Sequence, residues 1–184
     1  MLTPVRGLAL ACLLLLPARA AADPASIVAD TSGLQFHGFR AGARLNEIDA
    51  HLRRLNGGRM RCQRSRIDPR VTECRAMLND QELGGSLSLW ISAIDSVAGV
   101  IMLSGVLTPE RLEGWRLGLE ERYGRVGTRV QGTQRMLQWV RRGRMLRLTW
   151  RLEGGEKVAS VSLVDGHVLD RWGKTQAPPA SRAS

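Results

Sequence analysis

Histidine, cysteine, lysine and aromatic residues are all scarce in this chain of 184 residues. The three histidines, His37, His51 and His167, do not pair at ligand spacing, and no HExxH-type zinc motif exists. The three cysteines, Cys12, Cys62 and Cys74, form no CxxC, which argues against a thioredoxin-like redox role and a structural zinc. Neither GxSxG nor SxxK occurs, so no activated serine is visible. Gly57-Gly58, Gly84-Gly85 and Gly154-Gly155 lack the surroundings of a phosphate-binding loop and read as turns. The acidic residues fall mainly on helical stretches, with no facing pair of the kind a glycosidase needs. The sequence therefore offers no catalytic residue, no metal ligand and no cofactor site. Long apolar runs are missing too. Leu8–Leu16 has nine residues and Val97–Leu107 eleven, against about 20 for a membrane-spanning helix.

What is present begins with export. Arg6 precedes the apolar run, Pro17 ends it, and Ala18-Arg19-Ala20 has the small-x-small pattern of a cleavage site. Residues 1–20 read as a secretory signal peptide, and the destination as periplasmic or secreted. Cys12 lies inside the run, with Ala9 where a lipobox has Leu, so lipidation is not expected. Cleavage leaves Cys62 and Cys74, which in an oxidising compartment are expected to form one disulfide. It also removes Arg6 and Arg19, leaving 25 basic against 17 acidic residues, a charge of +8.

Lysine occurs only at positions 157 and 174, and the other 25 basic residues are arginines. With abundant Ala, Gly and Leu, this composition suggests a GC-rich coding bias behind part of the arginine excess.

Residues 21–33 read as a flexible lead-in and 174–184 as a disordered tail, leaving one domain over 34–173. Within it, 42–56 is expected to be a helix, with Leu45, Ile48, Leu52 and Leu55 on one stripe. Residues 59–65 and 71–78 form a hairpin that sets Cys62 across from Cys74. Residues 86–92 alternate as a half-buried strand with Trp90 on the wetter side. Residues 97–103, apolar on both faces, suggest a strand covered on both sides. Thr108, Pro109 and Glu110 open a second helix, in which Leu112, Trp115, Leu119 and Tyr123 share a face and Gly124 ends it. Strands follow at 135–141, 144–152 and 158–164, with Leu146, Leu148, Trp150 and Leu152 on one face of the middle strand. Residues 168–172 close the domain. The fold class is α+β: two units of helix plus antiparallel meander, 34–104 and 105–173, with helices packed on antiparallel sheet.

Gly38-Phe39-x-x-Gly42 before a helix carrying Glu47-Ile48, and a second helix ending Tyr123-Gly124 before a meander, resemble the β-lactamase-inhibitor-protein and BamE/SmpA-like exported bacterial domains. The resemblance spans about 130 residues. It implies a helix-plus-meander fold and a binding role, and it carries no functional residue across. BamE-like proteins are lipoproteins of one unit, whereas this chain reads as two.

Charge completes the reading. Arg135, Arg141, Arg142, Arg144, Arg147 and Arg151 cluster with no acid among them, and Trp139 lies between them. Six more arginines lie between Arg59 and Arg75, against Asp68 and Glu73. Arginine grips phosphate, sulfate or carboxylate through paired hydrogen bonds. Arg135, Trp139, Arg141, Arg142, Arg144, Arg147 and Arg151 are therefore the candidate binding residues, although Trp139 also suits the core. The expected function is a non-catalytic, exported binding or inhibitor-like module that engages an envelope protein or an anionic lipid or glycan. An envelope enzyme acting on an anionic polymer is the alternative. A nucleic-acid binder, suggested by a pI near 11.2, is disfavoured by the leader.

Overall fold

The computed structural model describes residues 33–173. The leader, the lead-in up to residue 32 and the tail lie outside the described residues. The elements run α1 (Leu45–Arg54), β1 (Arg61–Arg64), β2 (Val71–Asp80), β3 (Gly85–Ile94), β4 (Val97–Leu107), α2 (Pro109–Tyr123), β5 (Arg129–Gln131), β6 (Gln134–Arg141), β7 (Arg144–Glu153), β8 (Glu156–Asp165) and α3 (Gly166–Gly173). The eight strands form one antiparallel sheet in the order β1-β2-β3-β4-β8-β7-β6-β5. The α+β class is as the residue pattern requires.

Hairpin turns account for much of this topology. Asp95-Ser96, Arg142-Gly143 and Gly154-Gly155 each place two successive residues at positive φ. That is the backbone of the two-residue turn that matches the twist of its flanking strands. The turns join β3 to β4, β6 to β7 and β7 to β8.

The core lies on one face of the sheet. Alternation along the strands delivers Cys74, Ala76 and Leu78, then Leu87, Leu89 and Ile91, to that face. Ile101 and Leu103, Val161 and Leu163, and Leu146 and Leu148 continue it. Ile48 and Leu52 from α1 join the same cluster, as do Leu112, Trp115, Leu119 and Tyr123 from α2. Burial of this apolar area, at about 25 cal/mol per Å², drives the two helices onto the sheet.

Helix α2 follows its signals closely. Thr108 Oγ1 accepts from the amide of Arg111 at 3.3 Å, Pro109 opens the helix, and Gly124 ends it at φ 90°. Its far end is pinned, because the Tyr123 hydroxyl donates to the Gln35 carbonyl at 2.7 Å and accepts from the Gln35 amide at 2.9 Å.

Three expectations need correction. Helix α1 starts at Leu45, because Gly42 sits in a turn at φ 87° and residues 43–44 run along β4, with the Gly42 amide donating to the Ala98 carbonyl and the Ala98 amide to that of Ala43. Strand β4 is covered on one side only: Ile101 and Leu103 are fully buried, but Val100 and Met102 on the other face are half-exposed. Leu152 is 65% exposed and Trp150 half-buried, because this end of β7 runs beyond the cover of α2. Residues 166–173 form α3, which packs on the ends of β3, β4 and β7. Its second and third amides, those of His167 and Val168, donate to the Asp165 carboxylate at 3.0 and 3.4 Å.

Candidate binding face

The sheet face opposite α1 and α2 is the more open one: its side chains are mostly exposed or half-buried, with Thr149 and Ile94 buried. Register places its side chains in straight lines across the strands. One line runs Arg61, Arg75, Trp90, Met102, Ser162 and Arg147, ending at Gln138. The next carries four hydroxyls in a row, Ser88, Ser104, Ser160 and Thr149, with Met77 and Met136 at its ends. Thr149 and Ser160 share a hydrogen bond of 2.7 Å. A half-buried tryptophan and one methionine, Met102, thus lie between arginines, beside a strip of small polar groups with a methionine at each end. Arg75 and Arg147 stand four strand steps apart, about 19 Å at the usual spacing.

The seven residues singled out by charge do not gather on this face. Arg147 and Arg151 lie on it. Arg147 donates from Nε and an η nitrogen to Gln138 Oε1 at 3.0 and 2.8 Å, and Arg151 pairs with Glu153 at 2.8 Å. Arg141 lies on the helix side, where it donates to the Tyr123 carbonyl at 2.8 Å and stacks over the Tyr123 ring. Arg144 is also on that side, bound to the buried Asp165 carboxylate at 2.7 Å. Arg135 lines a separate depression of about 490 Å³ with Arg116, Trp150 and Lys157. Arg142 occupies a turn, at φ 47°. Trp139 is a core residue whose Nε1 donates to the Gly124 carbonyl at 2.7 Å, so its ring is not offered to a ligand.

The cysteines do meet. Cys62 and Cys74 stand opposite each other in register and form a disulfide with S–S 2.05 Å. It ties the edge strand β1 to β2. Charge is also balanced locally in several places. The Arg70 side chain, at 2.8 Å, holds the Asp68 carboxyl below its ordinary range. Arg116 does the same for Glu113. Burial pushes His37 below its usual value, against the opposing pull of Asp80 and Glu82.

Charge counting along the chain passed over Trp90, the hydroxyl strip and the pairing of Arg61 with Arg75. The signal was nonetheless available: setting Cys62 across from Cys74 also sets Arg61 across from Arg75, one residue away on each strand. No group of three His, Cys, Asp or Glu side chains positioned to hold a metal occurs among the described residues. No helix among them is long and apolar enough to cross a membrane. Set against protein-family models, curated proteins and solved structures, the chain matches none.

Proposed function

We propose that the protein is an exported, non-catalytic binding module that presents the open sheet face to an envelope protein or an anionic envelope component. The observation that carries this reading is the line from Arg75 through Trp90 and Met102 to Arg147, set beside the hydroxyls of Ser88, Ser104 and Ser160. A rigid sheet supplies aromatic and thioether surface in the middle and cationic groups at either end. Short serine side chains let a partner approach the backbone closely. Such an arrangement suits adhesion of a mixed apolar and anionic surface. Oxidised Cys62 and Cys74 fit maturation outside the reducing cytoplasm.

The reading includes a duplicated architecture. Residues 34–104 and 105–173 are each taken as one helix followed by a four-strand meander, in the manner of the inhibitor-protein and BamE-like domains. In support, the last strands of the two halves, β4 and β8, lie side by side at the centre of the sheet.

Titration of the mature chain against vesicles of anionic or neutral lipid, at low and high salt, tests the anionic form of the proposal. Expected is binding to anionic vesicles that weakens as salt rises, and a loss of at least tenfold in Ser104→Glu, which plants a carboxylate in mid-face. Photo-crosslinking from position 162, across from Met102 on the same face, tests the protein form in intact cells. A single cross-linked envelope protein, lost in Ser104→Glu, supports it. Salt-insensitive or absent vesicle binding together with no cross-linked partner overturns the proposal.

A further inference from the structure

At the β1 edge of the sheet lies a depression of about 810 Å³. Arg59, Arg61 and Arg75 line it, with Met60, Met77 and Ser88. Its shape follows from a local irregularity. The Gly58 amide donates to the Met77 carbonyl at 2.7 Å, and regular pairing resumes with Arg61 opposite Arg75. Three residue steps on the edge segment therefore span two on β2. An extra residue of this kind bends the edge and re-aims its side chains, here those of Arg59 and Met60.

The electrostatics are lopsided. Arg61 and Arg75 are like charges in direct cross-strand register, an arrangement that destabilises a sheet when nothing neutralises it. Some arginines have a carboxylate, as Arg70 has Asp68, Arg144 has Asp165 and Arg151 has Glu153, and others have a neutral acceptor, as Arg147 has Gln138. None of Arg59, Arg61 and Arg75 forms an ion pair among the described residues. The closest acid along the same strand face, Glu73, stands two residues from Arg75, about 7 Å away, without reaching it. Three guanidinium groups at one concavity, with a serine hydroxyl beside them, make a site for a multiply charged oxyanion. The remaining lining is thioether, with Met77 48% exposed, and methionine adapts to flexible apolar chains.

We propose that this depression binds a phosphate ester bearing an apolar chain, its phosphate held by Arg59, Arg61 and Arg75 and its chain laid along Met60 and Met77. The site overlaps one end of the open face, sharing Arg61, Arg75, Met77 and Ser88 with it, but its ligand does not depend on the partner proposed for that face.

The test is calorimetric titration of the mature, oxidised protein with inorganic phosphate and with dihexanoyl phosphatidic acid below its micelle concentration. Phosphatidic acid is expected to bind at least tenfold more tightly than phosphate. Arg61→Glu/Arg75→Glu is expected to weaken it by tenfold or more, with unchanged near-ultraviolet circular dichroism. Arg59→Glu, outside the strands, is expected to weaken it several-fold and serves if the double variant fails to fold. Ser104→Glu is expected to leave it within twofold of the parent, which separates this site from the open-face proposal. Equal affinity for the two probes overturns the apolar half of the site. Phosphatidic acid binding that withstands Arg59→Glu and the double reversal, or no binding at all, overturns the whole.

Discussion

His167 closes over Gly143: its Nε2 donates to the Arg142 carbonyl at 3.0 Å, and a Cβ on Gly143 would stand 2.6 Å from that nitrogen. The same device recurs near the start of the domain. His51 Nε2 donates to the His37 carbonyl at 2.8 Å, and a Cβ on Gly38 would lie 2.5 Å from the His51 ring. In both cases a histidine locks a tight turn whose glycine has positive φ, 72° and 80° respectively. These two rings act as turn clamps, which absorbs two of the three histidines into the architecture.

Gly143→Ala should therefore be costly twice over, through the left-handed backbone and through displacement of the His167 ring. A loss of about 2–4 kcal/mol is expected. Gly154→Ala is the control, because its φ is also positive, at 58°, but nothing lies within 4 Å of the added carbon. It should lose only about 1 kcal/mol. Urea denaturation of both variants measures the difference.

The disulfide closes a short loop between positions 62 and 74. Replacing both cysteines by alanine should lower stability by about 3 kcal/mol in the chain-entropy description. Reductant should destabilise the parent by a similar amount and leave the double variant unmoved. Guanidinium melts with and without dithiothreitol decide this.

Asp165 is 2% exposed and serves three donors, Arg144 and the amides of His167 and Val168 in the first turn of α3. Asp165→Ala leaves those donors unsatisfied and should cost about 3 kcal/mol. Asp165→Asn keeps an acceptor for the helix amides and should cost less. Hydrogen exchange should show lost protection concentrated in residues 166–172 in the alanine variant.

His37 supplies the pH dependence. Burial lowers its folded-state pKa below the ordinary 6.5. Its contribution to stability is thus present above pH 6.5 and is lost as pH falls below that value and through the lowered folded-state pKa, because the unfolded chain takes up the proton more readily. His37→Asn, which tolerates the positive φ of 44° at this position, should flatten that part of the profile. Thermal midpoints of parent and variant measured between pH 7.5 and 5.5 give the comparison.

Periodicity made the frame legible. The stripe of Leu112, Trp115, Leu119 and Tyr123, the Thr108 cap and the pairing of Cys62 with Cys74 are local patterns with one physical solution, and each is present in the fold. The failures concern cover. Val97–Leu103 is apolar on both faces, yet only tertiary packing decides that α1 and α2 lie on one side and leave Val100 and Met102 half-buried. Strand β5, three residues long, and the eight-residue α3 are too short for a period to declare itself. The candidate site was the least legible part. Arginines adjacent in sequence point to opposite faces of a strand, so the run from Arg135 to Arg151 is dispersed by the pleat. Arg61 and Arg75, distant along the chain, are brought together by it.

The central seam has a kinetic consequence. Leu103 pairs with Val161, 58 positions later, so the middle of the sheet is the last part to close. Until the final strand is delivered, β4 offers a bare, largely aliphatic margin to solvent. Closing this seam is a non-local docking event, slow by the standards of the hairpins, and a nascent or truncated product stalled before it is primed for self-association.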